Sequence, residues 1–207
     1  MPSSDGPSFT RDDVQIIKTQ TVHNGFFKVH EYRLKHRKIE GGWTRELKRE
    51  CFDRPPAVAV LLYDPYQDTV AMVEQFRIGA LDAPEGPWQI ELVAGIIEAG
   101  DRKEATAHRE VNEETGTELL DLEYICEYYP SPGGSNEKLF LYCGAVDTRE
   151  MGGAHGNQDE GEDIWVHVFS REELWKNLQE NYIQNAASII ALQWLQMNWQ
   201  RLQEKWQ

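Results

Sequence analysis

Cysteine is scarce in this sequence, basic side chains are outnumbered, and long apolar runs are missing. The three cysteines, Cys51, Cys126 and Cys143, are widely spaced and form no C-x-x-C pair. That pattern excludes a disulfide framework and a cysteine zinc site, and it fits a reducing compartment. The longest apolar run, AVAVLL at 57–62, is far too short to cross a bilayer. The stretch MPSSDGPSFTRDD lacks the basic start and apolar core of a signal peptide, and no N-x-S/T acceptor occurs. Together these absences predict a soluble, cytoplasmic protein. Lys and Arg number 21 against 35 Asp and Glu, leaving a net charge of −14 and a pI near 4.8. That balance argues against nucleic-acid and anionic-membrane partners, which attract basic patches. If the substrate is itself anionic, a metal ion or local arginines must overcome the repulsion.

What the chain does have is core-forming material. Hydrophobic residues make up 40% of its 207 positions and tryptophan occurs seven times, enough for one sizeable domain or a domain with a small appendage. From Val14 to about Arg49 the segments VQIIKTQTV, FFKVHEYRLKH and WTRELKREC alternate apolar and polar residues, with HNG (23–25) and EGG (40–42) as turns. They predict a small antiparallel sheet with little core of its own, which needs something to pack on. Further strands are predicted at 57–64, 68–77, 89–95, 122–129, 139–146 and 164–170, and Asp64-Pro65-Tyr66-Gln67 makes a turn. Helices are predicted at 102–115, from a Ser170-Arg-Glu-Glu173 capping box to about Glu180, and at 185–203. In the last of these Ile189, Ile190, Trp194 and Met197 fall at helical spacing, which favours core packing over a cofactor role. There is no internal repeat or low-complexity segment, and mixed strands with few helices imply an α+β fold.

Chemistry concentrates at 109–116, REVNEETG. At about 100° per residue, Glu110, Glu113 and Glu114 share one helical face. Unscreened, these like charges destabilise the helix; hard divalent cations such as Mg²⁺ or Mn²⁺ want such oxygen ligands together with substrate phosphates. Arg109 stands four residues before Glu113 and can hold it, and Gly116 suits a left-handed C-cap.

Read outward as AGIIEAGDRKEATAHREVNEETGT, the stretch closely resembles the Nudix box, Gx5Ex7REUxEExGU, where U is aliphatic. Gly95 opens it and residues 109–116 match its second half. Asp101 stands where the family usually has glutamate, and Thr117 replaces the final aliphatic residue. Asp101 also reads as an N-cap with Glu104 at N3. The segments YYPSPGGSNEK, GGAHGNQDEGEDIWVHV and ENYIQNAASIIALQWLQ, with Pro132 past the box, are similar to the bacterial ADP-ribose pyrophosphatase branch of that family.

The resemblance implies a Nudix α/β/α sandwich with a mixed sheet (residues 51–207) behind a small N-terminal antiparallel sheet domain (residues 1–50). It implies a homodimer in which the N-terminal domain reaches the partner's site. The reaction it implies is Mg²⁺-dependent attack of water on a diphosphate bridge, with Mn²⁺ as a substitute. By the same resemblance, Glu110, Glu114, Glu162 and the backbone carbonyl of Ala94 are metal ligands, and Glu160 is the general base. Glu113 is either a further ligand or the partner of Arg109. Arg49, Arg54 and Arg77 are candidates for phosphate and ribose contacts; Phe26, Phe27, Arg49 and Glu50 are implied to reach the partner subunit's site across the dimer, and Ile96, Ser131 and Glu137 match positions lining the same pocket. Phe26 and Phe27 serve either as core of the small sheet or as an aromatic platform for adenine. The acidic run Asp159–Asp163 otherwise reads as a solvated hairpin tip, and its glycine spacing excludes an EF-hand. The implied substrate is ADP-ribose, giving AMP and ribose 5-phosphate. The alternatives are another nucleoside diphosphate sugar such as GDP-mannose, or a non-catalytic ADP-ribose-sensing domain; the latter should have lost box glutamates that this chain keeps.

Overall fold

In a computed structural model, residues 8–156 and 161–207 are described. The chain divides into two compact units. The first runs through Arg54 and includes Ser131–Glu137. Its strands β1 (Val14–Asn24), β2 (Lys28–His36) and β3 (Leu47–Asp53) form an antiparallel sheet in that order. Alternation places buried Glu31 in the middle of β2, where it accepts from Gln20 Nε2 at 3.3 Å and pairs with Lys48. Ile16, Ile17, Val22 and Phe26 of this unit remain exposed. The boundary expected at residue 50 moves, because β3 continues to Asp53 and captures Ser131–Glu137. Phe52 N donates to Gly134 O at 2.7 Å, Asn136 Nδ2 to Asp53 Oδ1 at 2.6 Å, and Arg54 N to Asn136 Oδ1 at 2.7 Å.

The second unit, Pro55–Pro130 with Lys138–Gln207, is a mixed sheet between helices. Its strands are β4 (Ala57–Asp64), β5 (Thr69–Phe76), β6 (Trp88–Glu91), β7 (Val93–Ile96), β8 (Asp121–Tyr128), β9 (Leu139–Ala145), β10 (Gly153–His155) and β11 (Ile164–Ser170). Their order is β10-β11-β5-β4-β9-β8, with β6 beside β5 and β7 beside β4. The β4–β9 pair is parallel and the other pairs are antiparallel.

Every residue of β4 is buried, which explains the unbroken run AVAVLLYD: a strand covered on both faces has no use for a polar side. Val58, Val60 and Leu62 pack in one core with Ala107 and Val111 of helix α1 (Lys103–Thr115). Ala59, Leu61 and Tyr63 pack in the other with Leu174 of α2 (Arg171–Gln179) and Leu192 and Leu195 of α3 (Ala186–Trp206). This is the α/β/α layering of the expected sandwich.

Details differ from the sequence reading. The run expected as one strand at 89–95 is two, since the chain leaves β5 for β4 at buried Leu92. Strand β10 forms at the start of the GGAHGNQDEGEDIWVHV segment, where no strand is expected before 164. Asp101 does not cap α1: its N–H closes a turn onto Glu98 O at 3.1 Å, and the N-cap is Arg102, which makes no side-chain cap. The turn through Gly100, at φ +100°, leaves Asp101 one residue too early. The other helix starts hold: Ser170 Oγ accepts from Glu173 N at 3.2 Å and Asn185 Oδ1 from Ser188 N at 3.0 Å.

Leu61 is fully buried between β4 and the α2–α3 layer, so Leu61→Ala removes contacts that the rigid sheet cannot restore by collapsing. Urea unfolding is expected to show a loss of about 2–5 kcal/mol. A loss below ~0.5 kcal/mol would contradict the two-faced core.

Candidate active site

Helix α1 sets its charged edge by burying the face beside it. With Ala107 and Val111 sealed against the sheet, Glu110 and Glu114 lie at the edge of that contact and Glu113 points outward. Glu114 is 3% exposed and accepts a hydrogen bond from the N–H of Ala94 on β7, yet its Oε2 has no partner. Glu110 sits where a side chain on Gly95 would be: a Cβ there would stand 1.8 Å from Glu110 Oε1 and 1.9 Å from Cδ. A side chain at residue 95 would therefore displace the Glu110 carboxylate from its present place against β7.

Arg109 bridges the two outer carboxylates, donating from Nη2 to Glu110 Oε1 at 2.6 Å and from Nη1 to Glu113 Oε2 at 2.7 Å. It holds Glu110 as well as Glu113, more than the i, i+4 spacing alone suggested. Burial raises the carboxyl of Glu110 above the usual range, and Arg109 opposes the shift. Burial, then repulsion from Glu110 and Glu162, pushes Glu114 up to about 8, although Arg77 and the Ala94 N–H draw it down. Glu162, just before β11, thus faces both helix carboxylates. Arg77, following β5, is engaged by Glu91 at 2.7 Å. Ile96 ends β7, exposed beside Gly95. Glu160, the expected base, and Asp159 lie outside the described residues.

The remaining expected substrate residues belong to the first unit. Phe27 meets Phe26 edge-on at 4.8 Å and Phe52 at 4.9 Å, and Phe26 is 94% exposed. The Arg54 guanidinium lies 5.1 Å from the Phe27 ring centroid and pairs with Glu137 at 2.8 Å. Phe27, Arg54 and Glu137 therefore form one cluster. Phe52 completes it and was missed, because what joins it to Phe27 and Arg54 is contact between positions distant in sequence. Arg49 and Glu50 point to opposite faces of β3, with Arg49 Nη1 donating to Lys48 O at 2.8 Å. Ser131 opens the captured turn, its carbonyl accepting from Ser135 N at 2.9 Å.

The donor set fits a hard divalent cation. It is all oxygen, one buried carboxylate oxygen is orphaned, and the backbone at Gly95 is pared back to make room. Among the described residues no three acidic, His or Cys side chains are already drawn into a closed ligand cluster. Arg109 is the positive charge that now holds Glu110.

Comparison with known proteins agrees with this geometry. A NUDIX domain matches residues 53–193. The chain belongs to the Nudix family. Over 199 residues it is 43% identical to the ADP-ribose pyrophosphatase of Escherichia coli K12, covering 96% of this chain and 95% of that one. The GDP-mannose pyrophosphatase of Shigella dysenteriae is 27% identical over 186 residues, covering 89% and 96%. A crystal structure of an ADP compounds hydrolase superposes with a TM-score of 0.67 at 18% identity, covering 92% of this chain and 98% of that one, and so shares the fold.

The raised Glu114 carboxyl makes a pH prediction for metal-free protein. Below about 4.5 the group is protonated folded or unfolded, with no penalty. Between that value and about 8 the unfolded chain releases the proton first, so stability falls as pH rises; above 8 the penalty is complete. In EDTA, Glu114→Gln is expected to flatten this decline and to be more stable than wild type at pH 8 by on the order of 2 kcal/mol. Parallel urea-unfolding profiles for the two proteins would refute the assignment.

Proposed function

We propose that this Nudix protein hydrolyses the diphosphate bond of ADP-ribose, giving AMP and ribose 5-phosphate, with Mg²⁺ as its cation and Mn²⁺ as a substitute. The observation that carries the reading is the buried, partnerless oxygen of Glu114 beside Glu110, on the helix that carries the matched box. Glu110, Glu114, Glu162 and the Ala94 carbonyl would hold the ion. Bound there, a divalent cation neutralises diphosphate charge and makes a bound water a stronger nucleophile.

The chain's own residues do the rest. Arg109 fixes Glu110 and Glu113 in single orientations, which leaves Glu113 as a positioning partner. Glu160 is assigned the proton of the attacking water, and Glu162 acts from the same segment. Arg54 and Arg77 are assigned phosphate contacts, and Ile96, Ser131 and Glu137 are assigned further contacts to the substrate. Phe26 and Phe27 supply the aromatic face for adenine, and Arg49 and Glu50 of β3 are assigned further contacts from the same unit. A homodimer in which this sheet serves the partner's site accounts for Ile16, Ile17, Val22 and Phe26 being exposed on a small antiparallel sheet. The setting proposed is cytoplasmic; among the described residues no helix is long and apolar enough to cross a membrane.

ADP-ribose is favoured over GDP-mannose because the chain matches the pyrophosphatase named for the former at 43% identity and that named for the latter at 27%. Purified protein with Mg²⁺ is expected to release AMP from ADP-ribose, with kcat/KM well above that for GDP-mannose. Glu114→Gln should lose at least ~100-fold of that rate. A preference for GDP-mannose would replace the substrate. Binding of ADP-ribose without turnover would replace the enzyme by a sensor.

A further inference from the structure

Strand β10 ends at His155, and Gly156 follows with φ +100°. A Cβ on Gly156 would stand 2.9 Å from the backbone oxygen of Glu162 and 3.1 Å from its carbonyl carbon. Backbone cannot swing aside as the end of a flexible side chain can, so the space is closed to any residue but glycine. One residue earlier, the His155 ring abuts the C-cap of α1: its Cε1 lies 3.4 Å from where a Cβ of Gly116 would be. His155 Nε2 is 3.2 Å from Gly152 O, and since a carbonyl only accepts, the proton sits on that nitrogen. Ladder pairing of His155 with Ile164 and Gly153 with Val166 fixes β10 on β11. Contact therefore runs from the end of α1, through His155 and Gly156, to the main chain of Glu162.

We propose that Gly156 is a positioning residue: its missing side chain lets the end of β10 seat the backbone of Glu162 at the level of Glu110 and Glu114 on α1. This rests on the proposed role of Glu162 as a cation ligand. A helix and a separate loop must present oxygens to one ion, and each can shift without the other unless something registers them. Second-layer groups that orient ligands commonly matter tenfold or more to affinity. The neighbouring Gly153 supplies a control, because it also has positive φ (+87°) but nothing lies within 4 Å of its Cβ position. An alanine there carries the same backbone strain without the close approach.

The test is Mn²⁺ titration of metal-free, full-length protein, with free Mn²⁺ read by electron paramagnetic resonance below the melting point of every variant. Gly156→Ala is expected to weaken binding roughly tenfold and Glu162→Gln at least as much, with Gly153→Ala within about twofold of wild type. In the Glu162→Gln background, adding Gly156→Ala should change nothing further, because a residue that acts through Glu162 has nothing left to act on. If Gly156→Ala costs as much in that background as in wild type, its effect is general destabilisation and the proposal fails. If Gly156→Ala binds like Gly153→Ala while Glu162→Gln is weakened, the positioning role fails and the ligand role of Glu162 stands. If Glu162→Gln binds as wild type, the ligand role fails and the positioning role with it.

Discussion

The structure is organised around two carboxylates that α1 presses into the sheet edge. Burying a carboxylate without a partner costs more than most single interactions return, and Glu114 has one oxygen in that condition. A helix free to roll by a fraction of a turn would release it to water. Ala107 and Val111 prevent this, because both are fully buried and any rotation would expose them. Apolar packing on one face of α1 thus holds an electrostatically unfavourable arrangement on its edge. Strain of this kind persists where the surroundings over-determine it, and that is the signature of a binding site rather than of a stabilising feature.

The rest of the second unit supplies that determination. β4 is covered on both faces, so the sheet beneath α1 is backed by α2 and α3 and cannot yield. β7 leaves β6's neighbour to pair with β4, which brings Ala94 N–H to Glu114 and the bare backbone of Gly95 to Glu110. The strand switch at Leu92 is thus a device of the site as well as of the fold.

Much of this was legible in the sequence because it rests on residues with narrow physical uses. β4 was read to the residue, since a continuous apolar run bounded by Pro56 and an Asp64 turn has few alternatives. The i, i+3, i+4 glutamates with Gly116 gave α1 and its C-cap, now seen at φ +67°. What escaped depends on contacts between distant positions. Asp101 resembled a cap until the Glu98 turn displaced it. The capture of Ser131–Glu137 by β3 hangs on Asn136 reaching Asp53 and Arg54, 83 and 82 residues away, and no local pattern announces it. Phe52 was hidden for the same reason: its role comes from Phe27 and Arg54, not from its neighbours in sequence.

The charge distribution argues for where the site's positive charge comes from. The chain carries −14 overall, and a diphosphate brings further negative charge. Two of the arginines assigned to substrate are already engaged by carboxylates, Arg54 by Glu137 and Arg77 by Glu91, and Arg109 is held by Glu110 and Glu113. For any of them to receive a phosphate, the anion must compete with a carboxylate already at hydrogen-bond distance, so the net gain is small. A divalent cation does not face that competition. It meets carboxylates whose proton affinity is raised by burial and mutual repulsion, and it relieves both while adding charge of the sign a diphosphate needs. Arginines paired in this way are suited to orientation: Arg109 holds Glu110 and Glu113 still, and Arg54 and Arg77 are themselves held by Glu137 and Glu91. On the proposed function, the acidity that sets the chain against nucleic acid and anionic membranes is what draws a divalent cation, and the cation is what admits the diphosphate.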